Sequence, residues 1–255
     1  MAQGVVSREH EQGPRDYQED RFFSAAVPSS EPGGWLMAVM DGHGGSMASN
    51  VCAEEIGGLF EQCFGEGSPE SILRALVQKL VEMTRQFREG STLSIAWVRE
   101  DHDEVSVAVL GDSPVIVVDQ LGQVHVSPEH NVRTNLAERN AMVARGGSYR
   151  NGYVYNQLDV GFQVSRALGD GDLDRILSRE PEIYTIKNPR WVVVASDGVL
   201  DPGHGNTTPL VQKLVGLLKS GLKASEIMSW AKDRNLKDNA TVIVWQHKNA
   251  LSKDV

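Results

Sequence analysis

The sequence predicts an α+β sandwich, sheet layers covered by helices, from three observations. Short apolar runs recur from end to end, the apolar period switches between about 3.6 and two residues, and strands come in blocks while helices come in pairs. After a polar start, Trp35 to Met40 reads as a strand, and Ser46 to Phe64 follows with helical spacing through Val51, Ile56, Leu59 and Phe60. A second helix has Ser68 as N-cap and Pro69 at its first position, with Ile72, Leu76, Leu80 and Phe87 on one face. Period two then takes over: Leu93, Ile95 and Trp97 alternate with polar or small residues, and Val105 to Leu110 and Val115 to Val118 follow as an antiparallel meander. From about Ser127 to Glu180 the chain is mainly polar and reads as a surface insert, with Asn151-Gly152 marking a tight hairpin turn. Trp191 to Ala195 returns to strand. Helices are expected at Thr208 to Lys219, stopping near Gly221, and at Ser225 to Arg234, and Ala240 to Trp245 closes the chain as a strand. No repeat, low-complexity tract or linker divides the 255 residues, so one domain is expected.

With 40% hydrophobic and 23% charged residues, the composition is that of a folded globular chain, not a disordered one. A net charge of -9 argues against nucleic acid, which is held by clustered Lys and Arg. An acidic protein that handles phosphate must hold its positive charge locally, for example as bound metal. Cys52 and Cys63 form no CxxC pair and lack histidines at zinc-finger spacing; both fall inside a predicted amphipathic helix, where a buried structural thiol is the default. Met1 to His10 lacks the pattern of a signal peptide, and no stretch approaches the ~18 apolar residues of a membrane span. A cytoplasmic, monomeric protein with no membrane partner is the expectation.

Acidic residues recur where apolar strands end. One run leads into Asp41-Gly42, another into Gly111-Asp112 and a third into Asp197-Gly198, while Asp238-Asn239 precedes Ala240. A lone Asp-Gly is usually a turn. Four in one chain suggest something more, because hard cations such as Mg²⁺ or Mn²⁺ take oxygen ligands and carboxylates on neighbouring strand ends supply them from a rigid base. Arg15 to Arg21 adds the adjacent carboxylates Glu19 and Asp20 between arginines, a pattern that by itself reads as a solvated loop. His43 lies between glycines two residues after Asp41, in a tight loop from which it could reach a substrate; His125 and His204 read as exposed or structural. No GxxxxGK[ST] loop, HExxH or GxSxG elbow is present.

Together the motifs resemble the metal-dependent, type 2C protein serine/threonine phosphatases. The ordered set is Arg15 to Asp20, Asp41 to Gly45, Gly90-Ser91-Thr92, Gly111-Asp112-Ser113, Gly146-Gly147, Ser165 to Asp170, Ala195 to Gly198 with Asp201, and Asp238 to Thr241. The resemblance implies a four-layer α-β-β-α sandwich with two mainly antiparallel sheets, and two Mg²⁺ or Mn²⁺ ions per chain at one end of it. It implies that Asp41 bridges the metals, that the Gly42 carbonyl serves one and Asp197 and Asp238 the other, and that Glu19 and Asp20 act through water. It further implies a third, weaker site at Asp112 and Asp197 supported by Asp201, a phosphate grip by Arg15, and His43 as general acid. The implied reaction is direct hydrolysis of phosphoserine or phosphothreonine in protein substrates, without a phosphoenzyme. Pro114 stands where many relatives carry Arg, and Leu200 replaces the usual Trp before Asp201. The 127–180 insert corresponds to the family's flap. The alternatives are a pseudophosphatase that binds phosphoproteins and a small-molecule phosphoesterase using the same metals.

Overall fold

The computed structural model describes residues 4–27, 34–65, 67–200 and 207–250. Its first half runs β1 (Gly4–Glu11), β2 (Arg21–Val27), β3 (Gly34–Met40), β4 (Gly42–His43), α1 (Met47–Cys63), α2 (Pro69–Thr84), β5 (Gly90–Ser91), β6 (Leu93–Arg99), β7 (Glu104–Leu110), β8 (Val115–Asp119) and β9 (Val124–Val126). The second half runs α3 (Leu136–Ala144), β10 (Ser148–Arg150), β11 (Tyr153–Tyr155), β12 (Gly161–Phe162), β13 (Leu168–Gly169), a 3-10 turn at Gly171–Leu173, β14 (Glu182–Lys187), β15 (Pro189–Ala195), α4 (Asp197–Leu200), α5 (Thr208–Lys219), α6 (Ala224–Lys232) and β16 (Ala240–His247).

Two five-stranded antiparallel sheets, ordered β1-β16-β15-β8-β9 and β14-β7-β6-β3-β2, form the inner layers of the expected sandwich. Side-chain alternation explains why the inner strands read as unbroken apolar runs. In β3, Met37 and Val39 join Val107, Val117, Val194 and Ile243 between the sheets, whereas Leu36, Ala38 and Met40 pack outward on Leu73, Leu76 and Leu80 of α2 and on Ile56 and Phe60 of α1. The other sheet packs its outer face on Val211, Leu214 and Leu218 of α5 and Ile227 of α6. Ser68 caps α2 as expected, its hydroxyl accepting from the Ser71 amide at 3.2 Å.

Three expectations need amendment. The polar start contains β1 and β2; both are edge strands with mostly part-exposed side chains, so neither carries the apolar run of an interior strand. Phe87 lies beyond α2, which ends at Thr84. The meander also breaks: β6 and β7 form a hairpin, but β8 crosses to the other sheet and pairs with β15. The crossing is Gly111 to Pro114, and the Pro114 carbonyl accepts from the Ala195 amide at 3.0 Å.

The 127–180 segment has more internal order than its polarity suggests. Asn151 and Gly152 take φ of 51° and 87° and turn β10 into β11, with Arg150 opposite Tyr153. Val132, Met142, Val154, Ala167, Leu173 and Leu177 bury one another beneath α3 and the β10-β11-β12 sheet. Among the described residues no helix is long and apolar enough to cross a membrane.

Candidate functional site

Antiparallel register brings the acidic strand ends to one edge of the sandwich. Met40 pairs with Arg21, so Asp41 leaves β3 beside Glu19 and Asp20 entering β2. Ala195 pairs with Val242 and Ala240 with Glu11, so Asp197, Asp238 and the turn carrying Arg15 emerge together; Asp112 arrives on the inter-sheet crossing. They line a cleft of about 580 Å³ whose walls include Arg15, Glu19, Asp41, Gly42, His43, Asp112, Asp197 and Asp238, with Tyr153, Val160 and Phe162 of the 127–180 segment opposite. Asp20 sits behind this wall, 2% exposed. Asp201 and His204 lie outside the described residues.

Hydrogen bonds fix the backbone around these carboxylates. Thr92 Oγ1 accepts from the Asp41 amide at 3.1 Å and shares a 2.7 Å hydrogen bond with Ser113, while the Thr92 amide donates to the Asp41 carbonyl at 2.9 Å. Gly42 is required by close approach: a Cβ there would lie 2.6 Å from the Glu19 carbonyl oxygen. Asn239 ties the 12–19 turn to β16. Its Oδ1 accepts from the Glu19 amide at 2.8 Å, and its Nδ2 donates to the carbonyls of Gln12 and Tyr17 at 2.8 and 3.0 Å. Asn131 Nδ2 donates to Asp112 at 2.7 Å, and the half-exposed Arg15 guanidinium pairs with Asp238 at the rim.

The electrostatics are those of a site built for cations. Asp41 and Asp197 keep some solvent access, yet the protein around them desolvates their carboxylates. That burial, followed by repulsion among Asp20, Asp41, Asp112, Asp197 and Asp238, raises both well above the usual range. Burial also pushes Asp20 up to about 6, against hydroxyl hydrogen bonds from Ser196 and Thr241 at 2.7 and 2.8 Å; its Oδ1 is buried with no hydrogen-bond partner. Buried carboxylates that repel one another, with an acceptor left over, are a donor set suited to a hard divalent cation. Among the described residues no three such side chains close into a ready-made cage. For His43, burial alone would lower the imidazole, but the 2.7 Å hydrogen bond and charge of Asp170, with the charges of Asp112 and Glu19, outweigh it and raise it.

Asp170, Asn239 and Thr92 carry contacts that residue-type reasoning does not assign; the only signal is their place inside the motifs. The cysteines are structural, as expected. Both are buried in α1 and neither is in a disulfide, and burial pushes the Cys52 thiol up to about 12.

Comparison with known proteins adds independent findings. Residues 5–239 match the family model described as protein phosphatase 2C. A protein kinase and PP2C-like domain-containing protein of Arabidopsis thaliana is 27% identical over 91% of this chain and 37% of its own length. The human probable protein phosphatase 1N is 29% identical over 83% of this chain and 52% of its own. The chain thus spans between about a third and a half of these curated relatives. A C. elegans sex-determining protein superposes with a TM-score of 0.80 at 25% identity, covering 96% of this chain and 65% of that one. The serine-threonine phosphatase 2C of Toxoplasma gondii gives 0.71 at 19% identity, covering 95% and 94%, a likeness of fold.

Proposed function

The chain belongs to the protein phosphatase 2C family, and from that premise we propose that it hydrolyses phosphoserine and phosphothreonine in proteins, in the cytoplasm, using two Mg²⁺ or Mn²⁺ ions. The observation that carries this reading is the set of desolvated, mutually repelling carboxylates at one end of the sandwich, with an arginine at the rim. Asp41, Asp197, Asp238 and the Gly42 carbonyl would hold the two cations, Glu19 and Asp20 would act through water, and Asp112 with Asp197 would offer a third, weaker site. When bound, such cations supply water activation at neutral pH and offset charge on the phosphoryl group.

The chain's own residues do the rest. Arg15, exposed and paired only at its tip, exchanges Asp238 for the substrate phosphate, which a guanidinium grips through two parallel hydrogen bonds. As a water oxygen bonds to phosphorus, losing a proton to solvent, the ester P–O bond breaks, its electron pair goes to the serine or threonine oxygen, and His43 gives that oxygen a proton. Tyr153, Val160 and Phe162 on the 127–180 segment, read as a flap within one catalytic domain, form an apolar wall that limits water above the site.

The test is phosphate release from a phosphothreonine peptide with EDTA, Mg²⁺ or Mn²⁺, beside Asp197→Ala. Metal-dependent release that the variant loses is expected. A folded protein that releases nothing but binds the phosphopeptide is a pseudophosphatase, and preference for sugar or nucleotide phosphates marks a small-molecule phosphoesterase.

A further inference from the structure

We propose that Asp170 is the positioning residue for His43, holding the ring by Nε2 so that Nδ1 is the nitrogen left for the substrate; this rests on the reading of His43 as proton donor. Asp170 Oδ2 lies 2.7 Å from His43 Nε2, and the Asp170 side chain is 3% exposed against 32% for His43. Both residues line the cleft, yet the carboxylate is almost closed to solvent while the imidazole remains accessible. A buried carboxylate on one ring nitrogen selects both the tautomer and the orientation of the ring.

The local fold is arranged around this contact. β4, β5 and β13 form a miniature sheet in which Gly90 stands opposite both His43 and Gly169. A Cβ at Gly90 would fall 2.2 Å from His43 Nε2 and 2.2 Å from Asp170 Oδ2, so only glycine leaves room for the pair. Asp170 itself adopts the left-handed conformation, φ 50° and ψ 48°, which an aspartate tolerates better than most residues. That turn is pinned on every side: the Asp170 amide donates to the Glu89 carbonyl at 3.1 Å, the Gly171 amide to Phe87 at 2.8 Å, and Arg179 Nη2 to the Asp170 carbonyl at 3.3 Å. The strand register, the missing Cβ and the held turn converge on one hydrogen bond to a cleft residue.

The experiment compares a phosphothreonine peptide with an aryl phosphate of good leaving group, for wild type, Asp170→Asn, His43→Ala and the double variant, with Mn²⁺ present and folding checked by thermal melts. Asp170→Asn should cost about ten- to a hundredfold on the peptide and about threefold or less on the aryl phosphate. In the double variant it should add nothing to His43→Ala, because the two act as a unit. Equal losses on both substrates, or losses that multiply, would overturn the proposal. Gly90→Ala, which separates the pair without touching either side chain's chemistry, should reproduce the substrate-selective loss. Nitrogen NMR of the His43 ring tests the contact without turnover: Asp170→Asn should move the Nε2 resonance. An unmoved resonance overturns the proposal even in an active enzyme, whereas a wild type inactive on both substrates breaks the phosphatase reading instead.

Discussion

At the end of the sandwich away from the cleft, Glu104 is 5% exposed and lies between Arg99 and Lys187, and Asp119 accepts from the amides of Leu121 and Gln123 and pairs with His125. Burial alone would raise Asp119, yet those hydrogen bonds lower it. At the cleft end, Asp20, Asp41 and Asp197 are pushed the other way, by burial and by one another. The same two sheets thus carry carboxylates at both ends, satisfied from within at one and left to repel at the other. Burial of an unsatisfied charge costs several kcal/mol, so the cleft end marks where folding stability is given up for a ligand.

The largest effect expected from breaking this contrast is on turnover. Asp41→Asn should lower metal-dependent phosphatase activity by at least about a thousandfold, since on the proposed reading several kcal/mol of transition-state stabilisation depend on the cations that Asp41 would hold. The same variant in EDTA should melt at or above the wild-type temperature, because it removes a repelling charge. A lower melting temperature would contradict the electrostatic account. His43→Ala comes next, with a loss of about a hundredfold on phosphoserine peptides and much less on aryl phosphates, whose leaving groups need little protonation; steady-state kinetics on both substrates decides it.

Glu104→Ala probes the opposite end. It should cost about 3 kcal/mol of unfolding free energy in urea melts, by leaving Arg99 without its buried partner, while kcat with Mn²⁺ stays within about twofold. Activity that collapses with it would mean the two ends are coupled.

The smallest effect separates the ends by pH. The folded value of Asp20, about 6, lies above its ordinary 3.8. Its stabilising contribution is therefore complete below the ordinary value and disappears as pH rises through about 6. Asp119 is lowered, so its contribution is present above the ordinary value and is lost as pH falls through the folded one. In EDTA, Asp20→Asn should gain on wild type by on the order of 1–3 kcal/mol between pH 4.5 and 7.5, and Mn²⁺ should cancel the gain. An unchanged difference across that range in chelator would refute the sign of the shift.

By itself the sequence determined the layers and the acidic strand ends. Continuous apolar runs such as Trp35 to Met40 mark strands buried on both faces, Ser68-Pro69 starts α2, and Asn151-Gly152 makes the hairpin turn, because each depends on interactions between near neighbours. The ordered motifs likewise made the family legible, since the same short stretches recur in fixed order. Other features came only with the tertiary structure. β1 is an edge whose pairing partner, β16, lies near the other end of the chain, and β2, although the neighbour of β3 in sequence, is an edge whose side chains are mostly part-exposed, so neither carries the apolar run of an interior strand. The departure of β8 to the second sheet, which carries Asp112 into the cleft, is decided by pairing with β15, about eighty residues later. Asp170 reaches His43 across 127 residues through two-residue strands too short to read as periodic. The raised state of Asp41 and Asp197 was also out of reach, because desolvation and repulsion depend on which charges share a volume, and that is set by register and packing rather than by spacing in the chain.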